Sequence, residues 1–312
     1  MIQLIKAEQL KIYNRPMVLI MGICLIIVTT LVAVFNVGKT HKSEINDWKS
    51  MLIEENHSLR EDMKKAPEEM KQFFETQIKR NDYILERGLL PNQMTAWKFV
   101  SLMSNFLPLI TLFSLIVASD IVAGEFQWGT MKLLLIRPVS RSRLLLAKYC
   151  SVLLFAALFL AFMLLISWLI GAILFGVKGA MEPFIFSRDK QNFQDIPMVM
   201  NISITYGLKM ITLFVIVTLS FVISILFRSS SWAVGISVFI LFSGNLVGPL
   251  LQHINAGWSK FFLFTNLNLE EYFFGSRSVE GMTLPFSIGV LLVHTFFLCL
   301  VGWIVFAKRE VN

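Results

Sequence analysis

Hydrophobic positions in this chain are concentrated in long uncharged runs. Because an α-helix rises about 1.5 Å per residue and the hydrocarbon core of a bilayer is about 30 Å thick, roughly 20 apolar residues can cross it. Six runs are long enough, and they predict transmembrane helices at 16–38, 99–119, 144–177, 206–227, 229–252 and 284–307. The expected fold class is therefore an all-α membrane protein with six transmembrane helices.

The fifteen residues before the first run have an amphipathic pattern. Ile2, Ile5 and Ile12 fall near one helical face, and Lys6 and Lys11 fall elsewhere. This pattern predicts an N-terminal interfacial helix over 1–15, lying along the membrane surface. The alternative is that the segment is only the basic flank of the first span.

The segment between the first two runs, 39–98, is strongly polar, with 11 basic and 11 acidic residues. Apolar side chains nevertheless recur at every seventh position: Ile45, Leu52, Leu59, Ala66 and Phe73. Such spacing gives an apolar stripe on a helix. With Pro67 as a helix start and Gly88 as a stop, we expect a helical hairpin of 43–65 and 67–87. A disordered charged segment is the alternative.

Three further regions interrupt or connect the spans. Pro108 removes a backbone donor inside the second span and predicts a kink there. Residues 178–205 are short and mixed and are expected to form a loop. Residues 253–283 are rich in phenylalanine and are expected to form an aromatic or re-entrant element, with a plain interfacial aromatic anchor as the alternative.

Charge gives the expected orientation of these spans. The chain is 55% hydrophobic, 16% charged and carries a net charge of +7. The segments on the side of the two termini hold 11 Lys or Arg and 4 acids, whereas the opposite side holds 17 of each. Since short basic loops are retained in the cytoplasm, both termini are predicted to be cytoplasmic. The basic excess is thus explained by topology, and no basic stripe interleaved with aromatics indicates nucleic-acid binding.

Motifs for catalysis or metal binding are weak in this sequence. "AVFNVGKT" at 33–40 approximates a phosphate-binding loop, but it follows a transmembrane helix instead of a strand and is expected outside the cell. The four histidines form no H-E-x-x-H or similar ligand pair, so neither a metal site nor a catalytic residue is predicted. We expect the chain not to be an enzyme.

Polar groups within the spans mark a candidate transport path. It consists of Ser104, Asn105, Pro108, Asn245 and His294. Hydrogen bonding between helices is the structural alternative for these residues. Lys209, near the outer end of the fourth span, can extend to the interface.

A candidate external ligand element lies between the fifth and sixth spans. It consists of Trp258, Phe261, Phe262, Glu270 and Glu271. It combines aromatic side chains with two adjacent acids on the side predicted to be external.

The stretch "GEFQWGTMKLLLIRPVSRSRLLLAK", Gly124 to Lys148, joins the second and third spans. Gly129 and Thr130 interrupt the chain, Pro138 stops it again, and Ser140 can cap the helix that follows. These signals predict a short interfacial helix with defined turns at both ends, within a cytoplasmic segment at 120–143. Simple anchoring to lipid headgroups by its basic residues is the alternative.

This stretch closely resembles the segment after the second helix in permease subunits of ABC-2 type exporters. The matching positions are Glu125, Gly129, Thr130, Leu133, Leu134, Pro138, Val139, Ser140, Arg141 and Lys148. In that family the segment is a coupling helix that binds a separate ATPase. The resemblance implies coupling residues at Glu125, Phe126, Trp128, Gly129, Thr130, Lys132, Leu133, Leu134, Arg137, Pro138, Ser140 and Arg141.

The same resemblance implies partners and a location. A second permease subunit, either a copy or a paralogue, would complete the transport path in a bacterial plasma membrane. ATP and Mg would be bound by the ATPase, and this chain would hold no cofactor. The external insert is similar to that of bacitracin and lantibiotic self-protection permeases, which implies a role in antibiotic resistance.

The expected function is therefore that of a membrane subunit of an exporter that moves an amphipathic antimicrobial peptide, lipid or drug. The alternative is a membrane sensor or scaffold whose external hairpin binds a ligand without transport. A secondary transporter ranks last, because we find no inverted halves and no charged pair at mid-membrane depth in the sequence.

Overall fold

The computed structural model describes residues 1–40, 48–89, 94–131, 140–187, 193–253, 257–275 and 282–308. The helices within these ranges are α1 (Ile2–Tyr13), α2 (Pro16–Thr40), α3 (Trp48–Lys65), α4 (Glu68–Arg87), α5 (Ala96–Met103), α6 (Leu107–Gln127), α7 (Arg141–Phe175), α8 (Met198–Leu226), α9 (Ser230–His253), α10 (Leu269–Phe274) and α11 (Leu284–Lys308). Two strands, β1 (Pro183–Ser187) and β2 (Phe193–Pro197), form an antiparallel hairpin.

The prediction of an all-α membrane protein is confirmed at the level of overall class. Six described helical segments are long and apolar enough to cross a bilayer: Pro16–Val37, Ala96–Gln127, Arg141–Phe175, Met198–Leu226, Ser230–Gly248 and Leu284–Lys308. The centre of the bundle is formed by α6 and α8, whose facing side chains, such as Val117 and Val217, are fully buried.

The second span is interrupted and extends further than predicted. A 3-10 turn, Ser104–Phe106, separates α5 from α6, and Pro108 lies in the first turn of α6, where its missing N–H is not needed. At the other end α6 continues to Gln127, beyond the expected limit at residue 119. The expected cytoplasmic segment at 120–143 therefore begins inside a helix. The reason is that the charged side chains of its last turns are paired within the bundle, as described below.

The segment expected to be a loop at 178–205 contains the β1–β2 hairpin. In this hairpin Phe184 is opposite Ile196 and Phe186 is opposite Gln194. Aromatic and β-branched side chains favour strands when one face is covered. Here Phe184 and Phe186 contact Phe274 of α10, with ring centroids 5.7 and 5.4 Å apart.

Helices α3 and α4 pack against each other as an antiparallel pair. Pro67 stands at the N-cap of α4, and Gly88 ends it in the left-handed conformation with a φ of 62°. The pair is attached to β2, because Asp195 accepts hydrogen bonds from Tyr83 (2.5 Å) and Arg87 (2.8 Å). The polar insert is therefore bound to the rest of the protein by specific side-chain contacts.

The bundle has two chemically different ends. At the N-terminal end lie α1, the end of α6, the start of α7 and the turn between α8 and α9. At the opposite end lie the α3–α4 pair, the β1–β2 hairpin and the segment 257–275, which we call the connector because it joins α9 to α11. The connector has its own internal structure, since Thr265 donates to the carbonyl of Ser259 (2.7 Å) and Asn266 to that of Lys260 (2.9 Å).

Candidate functional site

Four charged side chains meet at the N-terminal end of the bundle, and we call them the ion cluster: Glu8, Lys11, Glu125 and Lys148. Lys148 is fully buried, and its Nζ donates to Glu125 Oε1 at 2.7 Å and to Glu8 Oε2 at 2.9 Å. Lys11 Nζ lies 3.0 Å from Glu8 Oε1 and 3.2 Å from Glu125 Oε1. Two positive and two negative charges thus balance within one contact distance, which is the arrangement that makes buried charge tolerable.

The pKa values of the α1 members follow from this pairing. Burial alone raises the pKa of Glu8, but the charges of Lys148 and Lys11 and their hydrogen bonds outweigh burial, and the pKa is lowered. Burial alone lowers the pKa of Lys11, but the carboxylates of Glu125 and Glu8 outweigh it, and the pKa is raised. Both shifts favour the charged forms, so α1 is held to α6 and α7 by ions at neutral pH.

A second ionic contact lies beside the ion cluster. Arg15, between α1 and α2, pairs with Asp120 of α6, which also accepts a hydrogen bond from the Ser230 hydroxyl at the start of α9. A Cβ added at Gly124 would lie 2.7 Å from the Asp120 carboxylate, so glycine leaves the space that this carboxylate occupies. The ion cluster and the contacts of Asp120 thus join α6 to α1, α7 and α9 at the N-terminal end of the bundle.

Glu125, which the resemblance implies is a coupling residue after the second span, lies in the last turn of α6. It is 8% exposed and paired with Lys148. Lys148 was named in the sequence as a position that matches the ABC-2 permease segment, but its pairing with Glu125 and Glu8 was not predicted. Its position among apolar residues at the start of the third span is the signal that identifies it, because a charge there requires a partner.

The other predicted coupling residues are divided by burial. Trp128 is 68% exposed, Phe126 packs against the core, and Gly129 ends α6 with a φ of 71°. Thr130 Oγ1 donates to the Glu125 carbonyl at 3.4 Å. Ser140 is the N-cap of α7, although its side chain makes no capping hydrogen bond, and Arg141 begins that helix. Five predicted residues lie outside the described part of the chain: Lys132, Leu133, Leu134, Arg137 and Pro138.

The candidate path residues do not form one group. Ser104 and Asn105 donate to carbonyls of their own helix and line a cavity of about 840 Å³ at the opposite end. Pro108 lines a separate cavity of about 330 Å³. His294 Nδ1 lies 2.9 Å from the Val290 carbonyl within α11 and lines neither cavity, and the Asn245 side chain is outside the described part.

The candidate external ligand element is also divided. Glu270 lines both cavities and Glu271 lines the larger one, whereas Trp258, Phe261 and Phe262 line neither. Trp258 and Phe261 are 61% and 54% exposed, and Phe262 packs against Phe264. The larger cavity lies between α4, α5, the β1–β2 hairpin, α8 and α10, and it contains the ion pair Lys98–Glu182 (2.8 Å). Sequence reasoning missed both Lys98 and Glu182.

The structure describes the backbone of the phosphate-loop-like motif and the side chains that could bind a metal ion. "AVFNVGKT" lies within α2, so its backbone is helical and does not form a phosphate-cradling turn. Among the described residues, no group of three or more His, Cys, Asp or Glu side chains is arranged to hold a metal ion.

In the part of the chain that the structure describes, six helices are long and apolar enough to span a bilayer and carry large exposed apolar surfaces, which is the pattern of a multi-pass membrane protein. The chain belongs to the family described as "Protein of unknown function (DUF2705)", whose model matches residues 70–312. The matched part includes Glu125, Lys148 and the spanning helices that line the two cavities. Helix α1 precedes the matched part.

Two relatives from Bacillus subtilis (strain 168) are similar to this chain. The "Uncharacterized protein YhcI" is 33% identical over 318 aligned positions, covering 100% of this chain and 99% of the relative. The "Uncharacterized membrane protein YdbK" is 30% identical over 205 positions, covering 65% of this chain and 78% of the relative.

Proposed function

We propose that this chain is the transmembrane permease subunit of an ATP-driven exporter of the ABC-2 type, with both termini in the bacterial cytoplasm. A separate ATPase subunit supplies the energy and binds ATP and Mg. A second permease subunit, either a copy or a paralogue, completes the transport path, and the substrate is amphipathic: an antimicrobial peptide, a lipid or a drug.

The observation that carries this proposal is that the ion cluster joins the two helices on either side of the segment between α6 and α7. Glu125 precedes that segment, Lys148 follows it, and the two are joined directly at 2.7 Å and to α1 through Glu8 and Lys11. The ion cluster thus joins the two helices that flank the segment to each other and to α1, so a movement of either helix is transmitted to the others. That mechanical property is what a coupling element requires, because force on the segment must reach the membrane spans.

Trp128 supplies the surface on which a partner can act. It directly follows α6, next to the ion cluster, and its side chain is 68% exposed. Large aromatic side chains are the commonest anchors of protein interfaces, and an exposed tryptophan beside a rigid cluster suits that role. The excess of basic residues on this side, 11 against 4 acids, supports a cytoplasmic location, where an ATPase would be available.

The opposite end supports an amphipathic substrate. Its two cavities combine apolar walls with paired charges, and ligand sites commonly have volumes of about 300–1,000 Å³ with mainly apolar linings. Charged side chains that line these cavities pair with each other, Lys98 with Glu182 and Lys209 with Glu270, and the apolar walls are available to the hydrocarbon part of a substrate.

The test is affinity purification of the tagged full-length protein from its native membrane, followed by identification of the proteins that accompany it. We expect an ATPase to copurify, and Trp128→Ala to weaken its binding by roughly 30-fold or more, the loss typical of an aromatic anchor. Trp258→Ala is the matched control, because Trp258 is similarly exposed (61%) at the opposite end.

Two results contradict the proposal. One is a purified complex in which Trp258→Ala, not Trp128→Ala, removes the ATPase, because the coupling surface would then be at the other end. The other is a protein that binds an external ligand while no ATPase accompanies it and ATP changes nothing, which favours the sensor or scaffold.

A further inference from the structure

The smaller cavity, of about 330 Å³, is lined by residues of four spans, α6, α7, α8 and α9, and by the connector. Its deeper walls are apolar and come from several helices, including Leu112 of α6, Leu213 and Ile216 of α8, and Leu241 of α9. Thr212 donates to the Leu267 carbonyl at 2.8 Å and so fixes the connector to α8 above the cavity. The result is a pocket that is apolar at depth and polar at its cover.

The polar end of this cavity holds one ion pair. Lys209 Nζ of α8 lies 2.8 Å from Glu270 Oε1 of α10, and their side chains are 25% and 32% exposed. Glu270 also lines the larger cavity, so the pair lies where the two cavities adjoin. Neither charge is so enclosed that a ligand could not reach it.

Depth within the membrane distinguishes the two ends of the cavity. Lys209 precedes the end of α8 at Leu226 by 17 residues, which is about 25 Å of helix rise. With a hydrocarbon core of about 30 Å, the ion pair lies near the headgroup level of the leaflet at the opposite end. Ile216 is seven residues deeper, about 10 Å further into the hydrocarbon region. The cavity is thus oriented like a lipid molecule, with its polar end at the interface and its apolar end inside.

Charge selects the kind of head group. Among the described residues, the two adjoining cavities are lined by three basic side chains (Arg80, Lys98 and Lys209) and three acidic ones (Glu182, Glu270 and Glu271). A head group with a single charge would take one member of the Lys209–Glu270 pair and leave the other without its partner. A head group with both charges can satisfy each residue and leaves the balance unchanged.

We propose that this cavity binds one hydrocarbon chain of a zwitterionic amphiphile, with its anionic group at Lys209 and its cationic group at Glu270. The binding itself needs no ATPase. Only the further step, that this amphiphile represents the exported substrate class, rests on the proposed function.

The test is photolabelling of the full-length protein in nanodiscs, without ATP, by an alkyl phosphocholine that carries a diazirine at the end of its chain. Mass spectrometry of the adducts is expected to place the label on the deep wall, at Leu213, Ile216 or Leu241. Unlabelled alkyl phosphocholines with chains long enough to reach the deep wall should compete with the probe, and short-chain analogues should compete poorly. A label distributed over lipid-facing positions such as Leu158, with no such competition, overturns the proposal.

Two tryptophan variants provide a matched comparison. Leu112→Trp fills the cavity without altering the ion pair and is expected to abolish the deep label. Leu158→Trp changes a side chain that is 47% exposed on α7, and it should leave the label intact. Equal labelling of both variants overturns the proposal. The adduct positions in the unaltered protein decide the question even if Leu112→Trp does not fold.

The head group is tested with probes of the same chain that carry a phosphocholine, a trimethylammonium or a sulfate. The phosphocholine is expected to label best, and loss of one charged contact should weaken it roughly tenfold. Glu270→Gln should shift the preference toward the sulfate probe and Lys209→Met toward the ammonium probe. Indifference of the labelling to both substitutions overturns the assignment of the head group.

Failure of this proposal and failure of the proposed function are distinguishable. Absent labelling with a copurifying ATPase leaves an exporter whose ligand binds elsewhere. Labelling at depth without any ATPase leaves a lipid-binding membrane protein that is not an ABC exporter.

Discussion

Both ends of the helix bundle carry ion pairs between separate elements, but they differ in burial. At the N-terminal end Lys148 is fully buried and shared by two glutamates, which are also nearly buried. At the opposite end, every side chain of the pairs Lys98–Glu182, Lys209–Glu270 and Arg87–Asp195 is 20% or more exposed. A buried charge cannot lose its partner cheaply, whereas an exposed one can be solvated or re-paired. The first end is therefore built to remain joined, and the second can exchange partners with a ligand.

The largest effect is expected from Lys148→Met, which breaks the ion cluster. Glu8 and Glu125 would remain buried without the charge that lies between them, and such a loss costs about 3–5 kcal/mol. We expect little folded protein, or a large fall in the melting temperature measured in detergent.

The same experiment on Lys98→Met sharpens the comparison between the two ends. Lys98 pairs with Glu182 at 2.8 Å and its side chain is 20% exposed, so we expect its loss to cost about 1 kcal/mol, less than the loss of the fully buried Lys148. Equal destabilisation by the two substitutions would mean that burial does not separate the two ends.

Gly244→Ala is expected to have the next largest effect, at the opposite end. A Cβ at this position of α9 would lie 2.1 Å from the ring of Phe264 in the connector, so the ring or the helix must move. Overpacking of this kind costs about 1–3 kcal/mol. Gly235→Ala in the same helix is the control, since nothing lies within 4 Å of an added Cβ, and it should be neutral or stabilising by up to about 1 kcal/mol. Thermal unfolding of the two variants decides between packing and helix propensity.

The pH dependence of the ion cluster gives a smaller effect with a defined direction. The lowered pKa of Glu8 means that its stabilisation is complete above its ordinary value of 4.5 and is lost as the pH falls through the lowered pKa. The raised pKa of Lys11 means that its stabilisation is complete below 10.5 and is lost as the pH rises through the raised pKa. The destabilisation caused by Glu8→Gln should therefore be greatest between pH 4.5 and pH 10.5, where both groups are charged. It should decrease as the pH falls below 4.5.

Glu61 is the control for this titration. Its pKa is also lowered, by a hydrogen bond from Lys64 and that residue's charge, but its side chain is 47% exposed on α3. Glu61→Gln should leave the melting temperature unchanged at every pH. A melting temperature that responds to Glu61→Gln as it does to Glu8→Gln would contradict a special role for the buried cluster.

The spans could be predicted from the sequence because hydropathy is a local property, but their ends could not. The run at 99–119 stops at Asp120 by composition, yet α6 continues to Gln127 because Asp120 and Glu125 find partners in other helices. Those partners are distant in sequence, since Glu8 and Lys148 are 140 positions apart. No periodicity encodes such a contact.

The candidate sites show the same limit. Pro108 and Glu270 were assigned to different functions, a transport path and an external element, and the fold brings them into one cavity. The strands β1 and β2 are only five residues each, too short for their alternation to stand out from a loop. Phe184 and Phe186 of β1 contact Phe274 of α10, which is distant in sequence, and the local pattern cannot indicate such a contact.

The smallest effect, confined to one element, is expected from Asp195→Ala. This carboxylate accepts hydrogen bonds from Tyr83 and Arg87, both on the polar face of α4, and its own side chain is 29% exposed. Because an exposed pair contributes little to global stability, we expect a change of about 1 kcal/mol or less. The α3–α4 pair, however, is attached to β2 by these contacts, so hydrogen exchange of α4 should become faster while that of α6 and α8 stays the same. Gln194→Ala, which alters an exposed neighbour on the same strand, should change neither. Faster exchange of α6 as well would contradict this prediction. It would mean that the exposed pairs at this end are connected to the bundle as strongly as the ion cluster is at the other end, so that the two ends do not differ.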